Sequence, residues 1–164
     1  MIARLEPCAR FSLRVAERLA QERRDAAGFD LTGAINSCRI AGERMALRLG
    51  PDEWLLTAPR SMRETIARDA EDALRGISHS LVDVSDRNVR FQISGPHARD
   101  VLAGGCALDL EDAAFPAGTA TRTLFGKADV VLIRPAGERH YELESLRSFA
   151  PYVGALLHEL AREF

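Results

Sequence analysis

One spacing constrains this chain more than any single motif. A strand-like run leading into an amphipathic helix occurs twice, and one offset of 87 residues lays Trp54 on Tyr141, Leu56 on Leu143 and Ser61 on Ser148. The helix positions follow, with Val153 on Ile66, Leu157 on Ala70 and Leu160 on Ala73. Two strand-then-helix units also share apolar spacing by chance, so the offset leaves open whether the halves are a true duplication. It does say which layers the chain must build. A hairpin followed by a helix, twice over, buries its apolar faces best as a largely antiparallel sheet with helices packed on one side. A doubly wound nucleotide-binding sheet would instead need single strands alternating with helices and a glycine-rich first turn.

Local patterns fill in this frame. Met45 to Leu49 and Trp54 to Thr57 flank Gly50-Pro51-Asp52-Glu53, a hairpin with turn chemistry between its strands. Ser61 and Glu64 read as a capping box for a helix whose apolar face is Met62, Ile66, Ala70, Ala73 and Leu74, with Gly76 beyond its end. Leu81, Val82 and Val84 come next. Val89, Phe91 and Ile93 alternate with Arg90 and Gln92, as in a half-solvated strand. A short helix over Ala98, Val101 and Leu102 is predicted to stop at Gly104-Gly105. Strands are predicted at Thr121 to Phe125, Asp129 to Ile133 and His140 to Leu143, and a closing helix from about Phe149 with Pro151 in its first turn. Phe11, Leu13 and Val15 fit a strand, whereas Leu13, Ala16, Leu19 and Ala20 fit a helix. Residues 1–40 are therefore a segment of undecided structure packed on a single domain at 41–164. The expected class is α+β, with two quasi-repeated ββα halves of ferredoxin-like type.

Composition narrows the function classes. Against 24 acidic residues stand 22 basic ones, a net charge of -2, so no field of one sign recruits nucleic acid or an anionic membrane. No apolar stretch is long enough for a secretory signal or a bilayer span, which predicts a cytoplasmic protein. Cys8, Cys38 and Cys106 are odd in number and widely spaced, and read as reduced thiols rather than a disulfide framework.

Searching for chemistry returns little. The chain has no G-x-G-x-x-G, phosphate loop, C-x-x-C pair or G-x-S-x-G elbow, and its histidines are not at metal-ligand spacing. Asp83, Ser85, Asp86 and Arg87 form the densest polar cluster, suited either to lining a cleft or to satisfying the backbone of a turn. Trp54 suits sheet packing better than ligand stacking. Asp129 leads into Val130-Val131-Leu132-Ile133 with no base partner in view, and one carboxylate does not define catalysis.

The run Leu49-Gly50-Pro51-Asp52-Glu53-Trp54-Leu55-Leu56 resembles the hallmark hairpin of the sarcosine oxidase gamma-subunit family. Leu81-Val82-Asp83-Val84-Ser85-Asp86-Arg87, followed by Phe91-Gln92-Ile93-Ser94-Gly95-Pro96-His97-Ala98, resembles the same family's next strand pair and helix. The D-x-S and S-G-P-x-A elements are shared more widely, with the aminomethyltransferase-like folate-binding fold of the glycine-cleavage T-protein. The resemblance implies such a domain at 41–164. It also implies a heterotetrameric complex that demethylates sarcosine oxidatively to glycine, yielding hydrogen peroxide and passing the one-carbon unit to tetrahydrofolate. FAD, FMN, NAD, tetrahydrofolate and zinc would reside in alpha, beta and delta partner subunits, leaving this chain a structural role. By the same resemblance Asp129 stands near the family's catalytic acid, and Asp83, Ser85 and Arg87 are the candidates for a remnant folate site. Asp86 replaces the histidine that often follows the D-x-S turn. The alternative is a free-standing folate-binding or folate-dependent one-carbon transfer protein.

Overall fold

A computed structural model describes residues 1–164. The chain divides into two compact units, the first of Pro7–Asp86 and the second of Met1–Glu6 with Arg87–Phe164. The initial strand, β1 (Ile2–Arg4), thus belongs with the second unit.

In the first unit the segment that suits both strand and helix is one and then the other. β2 (Cys8–Val15) buries Phe11, Leu13 and Val15, and α1 (Glu17–Arg23) starts directly after Ala16. A small ladder of β3 (Asp25–Ala26) and β4 (Phe29–Asp30) follows. Then come β5 (Ser37–Ala41), β6 (Arg44–Gly50), β7 (Glu53–Pro59), α2 (Arg63–Ala73) and β8 (His79–Asp83). The antiparallel order is β8-β2-β7-β6-β5. Trp54, Leu56, Phe11 and Leu13 from the sheet meet Ile66 and Leu74 from the helical layer in one apolar cluster. Each such fully buried side chain is worth roughly 1.5–3 kcal/mol.

Two local expectations are corrected. The capping box at Ser61 and Glu64 does not form; Arg60–Met62 make a 3-10 turn ahead of α2, and no side chain caps the helix. That turn carries the chain into the helix through its own short-range backbone bonds. Gly50 lies in the ladder rather than the turn, beside a register shift between Arg48 and Gly50, and Pro51 and Asp52 make the turn.

The second unit comprises β1 with β9 (Asn88–Ser94), α3 (Ala98–Ala103), β10 (Thr119–Phe125), β11 (Ala128–Arg134), β12 (His140–Leu146) and α4 (Ala150–Leu160). Its antiparallel order is β1-β9-β12-β11-β10. This is the order of the first unit with β1 standing where β8 stands there. The bounds of β7 and β12, and those of α2 and α4, are 87 residues apart at both ends. Val153 and Leu157 of α4 and Val101 and Leu102 of α3 pack with Phe91, Leu132 and Leu143 on one side of the sheet. Gly104-Gly105 serves packing rather than a left-handed helix end. Gly104 has φ −64, and a Cβ on Gly105 would lie 2.5 Å from the Phe125 ring.

Arg90 departs furthest from expectation. It is 8% exposed, not solvated, on the sheet face opposite the helices. Its Nη1 donates to Glu142 Oε2 at 2.9 Å and its Nη2 to Glu144 Oε2 at 2.8 Å. Asn88 Nδ2 donates to the other Glu144 oxygen at 2.8 Å. The register that sets Arg90 opposite Glu144 makes the network possible. Of the thiols, Cys38 and Cys106 are buried and Cys8 is half-buried, all unbridged. No helix is long and apolar enough to cross a membrane. Replacing Arg90 by alanine strands two buried carboxylates and should cost about 3–5 kcal/mol. Urea unfolding at neutral pH measures it, and a loss below about 1 kcal/mol would mean the network is solvated.

Candidate functional site

The D-x-S cluster is a turn braced by arginines. Val84 N–H donates to the Arg10 carbonyl at 2.8 Å, extending the β2–β8 pairing beyond Asp83. Ser85 is buried at 2% exposure, and its Oγ accepts from Arg10 N–H at 2.9 Å while its carbonyl accepts from Arg10 Nη1 at 3.1 Å. Ser85 N–H closes the turn on Asp83 Oδ1 at 2.9 Å. Arg63 Nε donates to the other Asp83 oxygen at 2.5 Å, and Arg60 Nη1 donates to Asp86 at 2.9 Å.

Electrostatics follow this geometry. Burial pushes the Asp83 carboxyl up, but the hydrogen bonds from Arg63 and Ser85 outweigh it and leave the group below the usual carboxylate range. The hydrogen bond from Arg60 holds Asp86 low, against a smaller upward push from desolvation. Arg63 is raised in turn, chiefly by its bond to Asp83. Both carboxylates are thus anchored as anions. The remaining candidates stand elsewhere. Arg87 is in the second unit, its Nε donating to Asn88 Oδ1 at 3.1 Å. Asp129 is exposed at the second position of β11, opposite Leu124 in the β10 ladder. No group of His, Cys, Asp and Glu side chains is arranged to hold a metal ion.

Sequence reading misses a cavity. In the second unit a cavity of about 340 Å³ lies between the start of α3 and the β11–β12 connection, lined by Ala98, Arg99, Arg134, Arg139, His140 and Tyr141. The Arg134 guanidinium sits 5.5 Å from the centre of the Tyr141 ring. Its Nη1 donates to the Phe115 carbonyl at 2.7 Å, and its Nη2 pairs with Asp112 at 2.7 Å. His140 Nε2 lies 3.2 Å from Glu142 Oε1, joining the rim to the buried Arg90 network. The signal in the sequence is an arginine after an apolar residue near a strand's end in each half, Leu47-Arg48 and Ile133-Arg134. A second cavity of about 260 Å³ is lined by Ile2, Ile93 and Val101, with the His97 ring stacked on Phe164 at 4.9 Å.

Comparison with known proteins fixes the relationship. The sequence model described as sarcosine oxidase, gamma subunit family, matches residues 16–163. Sarcosine oxidase subunit gamma from Arthrobacter sp is 34% identical over 97 residues, 59% of this chain and 47% of that protein. The chain spans about half the length of the curated relatives it matches. Among solved structures, heterotetrameric sarcosine oxidase from Corynebacterium sp. U-96 contains a chain matched with TM-score 0.86 at 23% identity, over 100% of this chain and 84% of that one. Glycine cleavage system aminomethyltransferase T from Bartonella henselae matches with TM-score 0.71 at 17% identity, over 95% of this chain and 44% of that one. At these identities the structures speak for the fold, a mixed α and β architecture shared by both. The family match spans nearly the whole sequence, and the chain belongs to the sarcosine oxidase gamma subunit family.

Proposed function

We propose that the chain is the gamma subunit of a heterotetrameric sarcosine oxidase and has a structural, non-catalytic role beside alpha, beta and delta subunits. The observation that carries this reading is the family match over residues 16–163. The assembly would demethylate sarcosine to glycine with release of hydrogen peroxide and transfer of the one-carbon unit to tetrahydrofolate. FAD, FMN, NAD, tetrahydrofolate and zinc would be held by the partners in a cytoplasmic complex.

Several features support a scaffolding role. Asp83 and Ser85 direct their polar atoms at Arg63, Arg10 and the turn backbone, so they brace the strand end instead of facing a ligand. Asp129 projects from an exposed strand position with no base beside it in the ladder. The matched strand orders of the two units support reading them as quasi-repeated ββα, ferredoxin-like halves of an aminomethyltransferase-like domain. A folate-binding variant of that domain would need polar groups turned to a cleft, and the turn residues are otherwise engaged.

A subunit must also offer a surface. Leu146, Phe149 and Tyr152 are exposed at three-residue intervals through the turn into α4. We read them as part of a face covered by a larger subunit, in an interface above about 1,000 Å². Co-expression with the neighbouring oxidase subunits should recover this chain in a flavin-containing complex, and Phe149→Asp should lower its recovery several-fold. A chain that stays a monomer in that co-expression contradicts the assignment. The structural reading of Asp83 has its own test. Because its folded pKa is lowered, its contribution is complete above about pH 4 and disappears as pH falls through the folded value. Asp83→Asn should therefore lose about 1 kcal/mol at pH 7 and show a flatter acid limb in urea unfolding against pH.

A further inference from the structure

The two units treat the same arginine differently. In the first, Arg48 lies 5.0 Å from the centre of the Trp54 ring and is closed in by its own chain. Its Nη2 meets the Glu17 carboxylate at 2.6 Å and the Pro51 carbonyl at 3.1 Å, and its Nη1 donates to the Gly33 carbonyl at 3.0 Å. Glu17 is the first residue of α1, the helix after the inner strand β2. In the second unit Arg134 occupies the matching place over Tyr141, but α3, the helix after the inner strand β9, begins with Ala98. Counting by ladder register, which lays Phe11 on Phe91, gives His97 instead, which is likewise no carboxylate and is stacked on Phe164. Beside Arg134 the carboxylate comes instead from Asp112, in the connection between α3 and β10 and largely exposed, and the cavity of about 340 Å³ opens there.

We propose that this cavity binds a small organic carboxylate, whose carboxylate group takes against Arg134 the position that Glu17 takes against Arg48. A guanidinium fork is suited to a planar carboxylate. Arg99 and Arg139 also line it, facing Asp112 and Glu138, and Arg99 is paired with Glu111 at 2.7 Å. The Tyr141 ring, 7% exposed, presents an apolar wall for the remainder of the ligand. Asp112 holds the position weakly: its side chain is 82% exposed while Arg134 is 20% exposed, an arrangement that an incoming anion can displace. The volume falls at the lower end of that of small-molecule sites, roughly 300–1,000 Å³. The ligand is thus a compact acid or amino acid rather than a nucleotide.

The test is a titration of the full chain, ¹⁵N-labelled, with sodium acetate and with glycine at constant ionic strength, following the Arg134 side-chain Nε–H resonance by NMR. Saturation by at least one of them, with a dissociation constant in the range of about 1 mM, is expected. Asp112→Asn removes the competing anion from an exposed loop and should tighten binding about two- to five-fold. Arg139→Gln should weaken it by a similar factor. Ala98→Glu places a competing carboxylate in the lining and should weaken binding more than about ten-fold, with an otherwise native spectrum as the control on folding. Neither probe saturating, or Asp112→Asn leaving the affinity unchanged or lower, overturns the proposal. Saturation by sodium phosphate but by neither carboxylate overturns its assignment to carboxylates.

Discussion

Each unit is organised around a buried arginine on an inner strand beside the central one. Arg10 and Arg90 occupy the same place in β2 and β9, opposite Thr57 in β7 and Glu144 in β12. Side chains on a strand alternate between faces, so a slip of one residue in β12 would turn Glu142 and Glu144 into the helix-facing core and expel Tyr141 and Leu143. The Arg90 pairs with Glu142 and Glu144 hold the register that avoids this. Ion pairs removed from water contribute little net stability against an apolar substitute, but they penalise misalignment heavily. Once the central pair is fixed, the neighbouring strands and the helical layer have one way to pack. The rim of the Arg134 cavity inherits its geometry from the same strand through His140 and Tyr141.

Much of this was legible in the residues. The alternation at Val89, Phe91 and Ile93 marks a strand, and the spacing of Val153 and Leu157 marks a helix, because apolar periodicity reports directly on which face is buried. The 87-residue offset holds for β7 with β12 and for α2 with α4. Residues 11–20 defeated periodicity because strand and helix meet at Ala16 with no punctuating glycine or proline. Ser61 looked like a cap, yet a 3-10 turn leads into α2. Arg90 looked solvated because alternation says which face a residue takes and nothing about what covers that face.

The candidate site was legible in a more uneven way. The D-x-S turn stood out as a polar cluster, and its atoms proved to be spent on Arg10, Arg63 and their own backbone. The Arg134 cavity did not stand out, since its lining comes from α3, β11, β12 and the connections beside them, and no motif signals such a gathering. The two outcomes have one cause. Polar residues dense in sequence tend to satisfy one another locally, whereas an open site gathers residues from separate elements, here Ala98, Arg134 and Tyr141.

The role proposed for this member of the sarcosine oxidase gamma subunit family is to support an oxidase without supplying a reacting group. Turnover by the assembled, flavin-loaded complex, with Asp129→Asn in this chain, tests it most directly, because Asp129 is the carboxylate that family resemblance sets nearest a catalytic acid. Turnover per flavin within about two-fold of the unmodified complex is the predicted result, and a fall of about 100-fold with the complex intact, the loss typical of a removed general acid or base, would contradict it.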